Sequence, residues 1–120
     1  MRTTFPRLFE PGHIGNVTLK NRVVKAPQHT GLANPDGSVT ERLLRHYRSL
    51  AQGGAGLITV EYAWVDNDAS KASPCQLGIA SIEHLPGLSL LAQTIQANGA
   101  KASIQISHAG RQRFTRGFRH

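Results

Sequence analysis

Three short apolar segments rich in β-branched residues alternate along the chain with two segments of helical periodicity. The apolar segments are NRVVKAP, GLITVEYAWV and KASIQIS, at residues 21–27, 56–65 and 101–107. Strands that alternate with helices of this length are typical of β-α-β units, in which successive strands run parallel. The sequence therefore predicts an α/β fold with a parallel sheet, in the order strand, helix, strand, helix, strand.

Each helical segment carries one apolar stripe and runs into a glycine. The first stripe is Leu43, Tyr47, Leu50 and Ala51, and the second is Leu85, Leu88, Leu91, Ala92 and Ile95. Such spacing places the side chains on one helix face. Ser38, followed three residues later by Glu41, predicts a capping box at the start of the first helix. Gly53-Gly54 and Asn98-Gly99 predict the two helix ends.

The composition is that of one small globular domain. The chain has 120 residues, of which 39% are hydrophobic and 18% charged. Its single cysteine, Cys75, excludes an internal disulfide and favours a reducing compartment. There is no apolar stretch of about 18 residues and no N-terminal signal pattern. We therefore expect a cytoplasmic protein without a membrane partner.

The formal net charge of +7 raises the question of nucleic-acid binding. All seven acidic residues lie at or before Glu83, so residues 84–120 hold most of the positive excess. A nucleic-acid binder would spread its basic residues over the fold and interleave them with aromatic stacking groups. The pattern favours a solvated basic tail instead, and we expect no nucleic-acid partner.

Polar residues occur where each of the three apolar segments ends. They lie in APQHT (26–30), VEY (60–62) and QISHAGR (105–111). Because parallel strands end at the same edge of a sheet, these groups predict a ligand site there. Residues 66–80, rich in Asp, Asn, Ser and Pro, predict a loop at that edge.

The chain lacks the motifs of several other chemistries. It contains no GxGxxG or GxxxxGK[ST] for phosphate binding, and no GxSxG nucleophile elbow. His29, His84, His108 and Cys75 do not have zinc-ligand spacing, so no metal site is expected. Trp64 and Tyr47 are interpreted as packing groups, and Cys75 is given no catalytic role.

One continuous pattern resembles a known family. LFEPGHIGNVTLKNRVVKAPQHTGLANPDGSVTERLLRHY, followed by GGAGLITVE and QISHAGRQ, is similar to the N-terminal third of the old yellow enzymes, from Leu8 to about Phe114. QHTGLA (28–33) is most similar to the 2,4-dienoyl-CoA reductase branch. The family consists of FMN-dependent NAD(P)H:flavin oxidoreductases. The resemblance implies that residues 1–114 form the first three β/α units of a partial (β/α)8 TIM barrel. Residues 115–120 form a basic tail that departs from the family pattern.

The resemblance also implies positions for the cofactor. The residues placed at FMN are Ala26, Pro27, Gln28, His29, Thr30, Tyr62 and Gln105. The Gln105 amide would bind the pyrimidine ring, because it donates and accepts in one plane. Thr30 or, alternatively, His29 would tune the flavin, and no other catalytic residue is assigned. Tyr62 stands where the family has Ala or Gly. His108 and Arg111 either contact substrate or brace the loop after the third strand.

The reaction implied by the resemblance is ene reduction. NADH or NADPH reduces FMN, and flavin N5 passes hydride to an activated C=C bond of a small molecule. The alternative is a catalytically inert fragment, or a subunit that needs a complementary chain; a homo-oligomer of a longer parent protein stays open. Three strands bury too little surface to offset their ordering cost by a wide margin. We therefore expect the isolated chain to be marginally stable and to bind flavin weakly.

Overall fold

A computed structural model describes residues 4–115 and contains a two-stranded hairpin, a three-stranded sheet and two α-helices. The strands are β1 (Gly12–Ile14), β2 (Val17–Leu19), β3 (Val24–Lys25), β4 (Leu57–Trp64) and β5 (Lys101–Ser107), and the helices are α1 (Glu41–Gln52) and α2 (Leu85–Ala97). Short 3-10 turns occupy Pro6–Phe9, Ile82–His84 and Gly110–Gln112. No helix in this part of the chain is long and apolar enough to cross a membrane.

The main sheet has the order β3-β4-β5, and both pairings are parallel. This confirms the predicted succession of strand, helix, strand, helix, strand. The first strand, Val24–Lys25, is shorter than residues 21–27, and at its carboxyl end Pro27 has no N–H to continue the ladder. Before β3, the Asn21 side chain accepts from Val23 N and donates to the Gly54 carbonyl, which fixes the entry into the sheet.

The core lies between one face of the sheet and the two helices. Its buried members include Leu43 and Tyr47 of α1, Ile58 of β4, and Leu91 and Ile95 of α2. The four helical residues belong to the predicted stripes, so the helical periodicity located the helix side of the core. Leu85 was expected on the second stripe, but it is exposed. It is the first residue of α2, and the buried residues of the helix begin at Leu91.

The start of α1 differs from the prediction. Thr40, not Ser38, is the N-cap, and its hydroxyl accepts from Leu43 N at 3.1 Å. Ser38 lies two residues earlier, where its N–H and hydroxyl both donate to the Asp36 carboxylate. The residue predicted as the N-cap therefore lies two residues before the residue that caps the helix. Both predicted C-terminal stops are confirmed, at Gly53-Gly54 and Asn98-Gly99.

The hairpin β1–β2 was not predicted. Ile14 and Val17 pair across a two-residue turn of Gly15 and Asn16, and Gly15 adopts a positive φ of 55°. Glycine followed by asparagine between two apolar residues is a known hairpin signal. The segment was too short to show the alternation that identifies longer strands.

Candidate functional site

The predicted ligand groups share one edge of the sheet. Lys25 pairs with Ile58, and Ala63 pairs with Ile106 in the parallel ladders. The residues that follow Lys25, the end of β4 and the residues that follow β5 therefore lie at the same, carboxyl-terminal edge. Pro27 follows Lys25 by two residues and Gln105 precedes Ile106, so the two are toward the same end of the sheet and not at opposite ends.

A bulge in β4 turns one carboxylate inward. The register between β4 and β5 shifts between Val60 and Ala63, and both of these residues belong to the core. The bulge adds one residue to β4 and interrupts the alternation of its side chains between the two faces of the sheet. Glu61 is therefore not constrained to the face on which the ligand is predicted. Glu61 is completely buried.

Glu61 is satisfied by three donors from two other parts of the chain. Thr30 donates from its backbone N–H at 3.2 Å and from its hydroxyl at 2.8 Å, and the Tyr47 hydroxyl donates at 3.1 Å. The Tyr47 oxygen in turn accepts from Glu61 N at 2.8 Å. Burial and the neighbouring carboxylate raise the pKa of Tyr47 far above its usual value, so the phenol keeps its proton. The Glu61 carboxylate therefore joins helix α1, strand β4 and the segment after β3.

His29 and Tyr62 lie at the outer side of this cluster. His29 Nδ1 is 3.5 Å from a Glu61 carboxylate oxygen, and the His29 side chain is 32% exposed. The Tyr62 ring packs edge-on against the imidazole with the centroids 5.2 Å apart. Partial burial and the Glu61 charge raise the pKa of Tyr62, so this phenol also stays neutral near pH 7.

The segment from Ala26 to His29 leaves backbone groups available. Ala26 and Gln28 are exposed, and the N–H groups of Gln28 and His29 make no backbone hydrogen bond to another residue of the 4–115 range. The Ala26 carbonyl accepts from Lys25 Nζ. On β5, Gln105 is exposed opposite the bulge. Free N–H donors on one side and an amide on the other suit the alternating donors and acceptors of a planar heterocycle.

The residues after β5 attach to the loop after β4. Ala109 N donates to the Ser70 carbonyl at 3.0 Å, and Phe114 N donates to the Lys71 carbonyl at 2.6 Å. His108 accepts from Gly110 N through Nδ1 at 3.0 Å, and Arg111 is exposed in the 3-10 turn. Backbone hydrogen bonds therefore brace the segment, and whether the side chains of His108 and Arg111 brace it or contact a substrate stays a prediction.

The groups expected to have structural roles are buried as predicted. Trp64 and Tyr47 lie in the interior, and the Trp64 indole donates to the Gln76 carbonyl at 3.0 Å. Cys75 is half-buried with no partner cysteine. Within residues 4–115 no three His, Cys, Asp or Glu side chains cluster as metal ligands.

Comparison with known proteins decides the family. The model of the NADH:flavin oxidoreductase / NADH oxidase family matches residues 7–118. The chain belongs to this family. An NADH oxidase of Thermoanaerobacter brockii is 46% identical over 110 residues, which are 92% of this chain and 17% of that protein. The chain thus spans about a sixth of the length of this relative.

Solved structures agree with the family and with the fold. A 2-naphthoyl-CoA reductase in complex with 2-naphthoyl-CoA is similar with a TM-score of 0.87 and 32% identity, over 92% of this chain and 17% of that one. The old yellow enzyme of Trypanosoma cruzi is similar with a TM-score of 0.82 and 29% identity, over 93% of this chain and 29% of that one. The three parallel strands and their helices are therefore part of a TIM barrel, and the resemblance to the old yellow enzymes is confirmed.

Glu61 is the residue of the site that the sequence analysis did not assign. The signal was present, because Glu61 is the single acid inside the apolar run GLITVEYAWV. A carboxylate in such a run is either at a strand end or buried with several donors. The donors come from residues 14 and 31 positions away, so the sequence could not name them.

The division of the chain at residue 114 stays a prediction. Of the basic tail assigned to residues 115–120, all but Thr115 lie outside the described residues.

Proposed function

We propose that this chain supplies three β/α units of the barrel of an FMN-dependent NAD(P)H oxidoreductase of the ene-reductase type. The proposal is supported by the parallel registers, which put the segment after β3 and the Gln105 end of β5 on the same side of the sheet, and by the N–H groups of Gln28 and His29, which make no backbone hydrogen bond within residues 4–115. Family membership supplies the cofactor class, since its members are named flavin oxidoreductases.

The residues of this edge would hold FMN from two sides. Ala26, Pro27, Gln28 and His29 offer backbone groups along the ring, and Gln105 offers a donor and an acceptor to its pyrimidine part. The Tyr62 ring supports the imidazole of His29 from one side. When bound, FMN supplies hydride transfer from NADH or NADPH to an activated alkene.

The substrate proposed is a small molecule with an activated C=C bond. His108 and Arg111 lie beyond the end of β5 at the same edge of the sheet, where they are exposed and placed to contact it. The nearest branch proposed is that of the 2,4-dienoyl-CoA reductases, on the strength of QHTGLA at 28–33. A cytoplasmic location and a homo-oligomer of a longer parent also stay proposals.

A second candidate is an inert fragment, or a subunit that needs a complementary chain. In the described chain β5 pairs only with β4, and Ile106 on it is 67% exposed. An open apolar edge of this kind requires a further strand for full stability. This candidate predicts weak flavin binding by the 120-residue chain alone.

Two proteins test the proposal together. The first is the 120-residue chain, and the second is a completed barrel, in which this chain replaces its 110-residue counterpart in the T. brockii NADH oxidase. FMN binding is measured by flavin fluorescence quenching in both. We expect tight binding by the completed barrel and weak binding by the chain alone. A stoichiometric yellow protein from the chain alone would remove the second candidate.

Gln105→Leu and Gln112→Leu provide matched variants. Loss of the Gln105 amide removes two hydrogen bonds, so we expect FMN affinity to fall by about 10- to 100-fold in the completed barrel. Gln112, exposed in the neighbouring 3-10 turn, should change it less than about twofold. A completed barrel that binds no FMN, or binds it equally well after Gln105→Leu, would refute the proposed function.

A further inference from the structure

Glu61 holds a charge in a place where a charge is costly. It is completely buried, it accepts hydrogen bonds from Thr30 and Tyr47, and His29 Nδ1 lies 3.5 Å from one of its oxygens. A buried carboxylate of this kind is seldom more stabilising than a well-packed apolar residue of similar size. What the carboxylate adds is geometric: it fixes the segment after β3 against the bulge of β4.

The hydrogen bonds of Thr30 leave His29 as the ligand-facing member of the pair. The only hydroxyl hydrogen of Thr30 goes to Glu61, and its oxygen accepts from Leu32 N at 3.2 Å. A hydroxyl has one hydrogen to donate, so the Thr30 side chain already uses its hydrogen and an acceptor position within the protein. The side chain of His29, by contrast, is partly exposed and only its Nδ1 faces Glu61.

The position of Nδ1 determines where a neutral imidazole carries its hydrogen. A carboxylate accepts hydrogen bonds and cannot donate one, so the nitrogen that faces it carries the hydrogen. The other nitrogen, Nε2, then presents a lone pair, which suits an N–H group of a ligand. A carboxylate that fixes a histidine in this way controls both the ring orientation and the tautomer.

We propose that Glu61 is a positioning residue, which acts through His29. It holds the imidazole at the carboxyl-terminal edge of the sheet with its hydrogen on Nδ1, so that Nε2 accepts from the bound ligand. This rests on the proposed function for the identity of the ligand as a flavin. The contact itself exists in the protein without a ligand and can be measured there.

Two other histidines provide internal references. His84 Nδ1 accepts from Ala80 N at 3.2 Å, and His108 Nδ1 accepts from Gly110 N at 3.0 Å. Their hydrogens must therefore lie on Nε2, opposite to His29. Nitrogen-15 spectra of histidine-labelled protein distinguish the two tautomers, and about pH 8.5 keeps ordinary imidazoles neutral.

The test compares Glu61→Gln with Tyr47→Phe in such spectra, recorded on the 120-residue chain and on the completed barrel. We expect the Nδ1–H pattern for His29 in the parent and its loss in Glu61→Gln. Tyr47→Phe removes a donor to the same carboxylate without touching His29, and should leave the pattern unchanged. A role of Glu61 in stability alone would give the same change in both variants or in neither.

Specific outcomes contradict the inference. It fails if His29 shows the Nε2–H pattern of His84, or if Glu61→Gln leaves its spectrum unchanged. A completed barrel that binds no FMN but shows a Glu61-dependent tautomer would refute the proposed function alone. One that binds FMN with a tautomer independent of Glu61 would refute the positioning role alone.

Discussion

The Tyr47 hydroxyl makes two hydrogen bonds with one buried residue, and its removal tests the central contact of the site. It donates to a Glu61 carboxylate oxygen at 3.1 Å and accepts from Glu61 N at 2.8 Å. Tyr47→Phe deletes only this oxygen and keeps the ring that packs in the core. The apolar contribution of the residue is therefore unchanged, and the loss measures the polar contacts.

The expected cost follows from the type of each bond. A hydrogen bond to a charged group contributes about 1.5–3 kcal/mol, and a neutral one about 1 kcal/mol. The variant also leaves the buried N–H of Glu61 without this acceptor. We therefore expect a loss of about 3 kcal/mol in the free energy of unfolding. Since the pKa of Tyr47 is raised, the loss should be the same at pH 6 and pH 9.

Urea unfolding of the completed barrel and of the 120-residue chain measures this loss. Tyr62→Phe is the control, because Tyr62 is half-buried and packs on His29 without belonging to the hydrogen bonds of Glu61. It should change the free energy of unfolding by less than about 0.5 kcal/mol. In a Glu61→Gln background the Tyr47→Phe loss should fall to about 1–2 kcal/mol, since the charge is gone. Equal losses for the two tyrosines would refute the reasoning.

Three further changes have expected outcomes. Gly37→Ala should lower the free energy of unfolding in urea by about 3 kcal/mol, because φ of Gly37 is 85° and an added Cβ would lie 2.6 Å from the Trp64 indole. Gly15→Ala is the control: φ of Gly15 is 55°, an added Cβ would have no neighbour within 4 Å, and the cost should be about 1–2 kcal/mol. Hydrogen bonds from Ser38 lower the pKa of Asp36 in the folded protein. The carboxylate therefore stabilises the fold above its unfolded pKa near 4, and this stabilisation is lost as the pH falls through the lower folded pKa. Unfolding curves at acid pH should show the loss in the parent and not in Asp36→Asn. Ile106→Lys on the open edge should reduce association of the 120-residue chain in light scattering, whereas Ile14→Lys, also exposed, should not.

The path of the chain through the sheet could be predicted from the sequence. Apolar runs of strand length alternate with helical stripes, and the two helix ends carry glycines, so strand order, parallel direction and core face followed from local patterns. The common edge of APQHT and QISHAGR also followed, because the carboxyl ends of parallel strands lie at the same edge of a sheet. The β1–β2 hairpin was missed because the sequence pattern around its Gly15-Asn16 turn is short. The N-cap of α1 was assigned to Ser38 instead of Thr40 because the capping pattern there is ambiguous.

The sequence by itself determined a β-α-β succession and the placement of its polar ends at one edge, because both depend on periodicity and on the direction of each strand. Only the tertiary structure determined the role of Glu61, since its partners Thr30 and Tyr47 are distant in the chain and reach it through a bulge. A single acid in an apolar run shows that a charge must be satisfied, but not by which donors. The folding of α1 and of the segment after β3 against β4 supplies them, and the contact with Glu61 uses the Thr30 hydroxyl while the imidazole of His29 stays partly exposed.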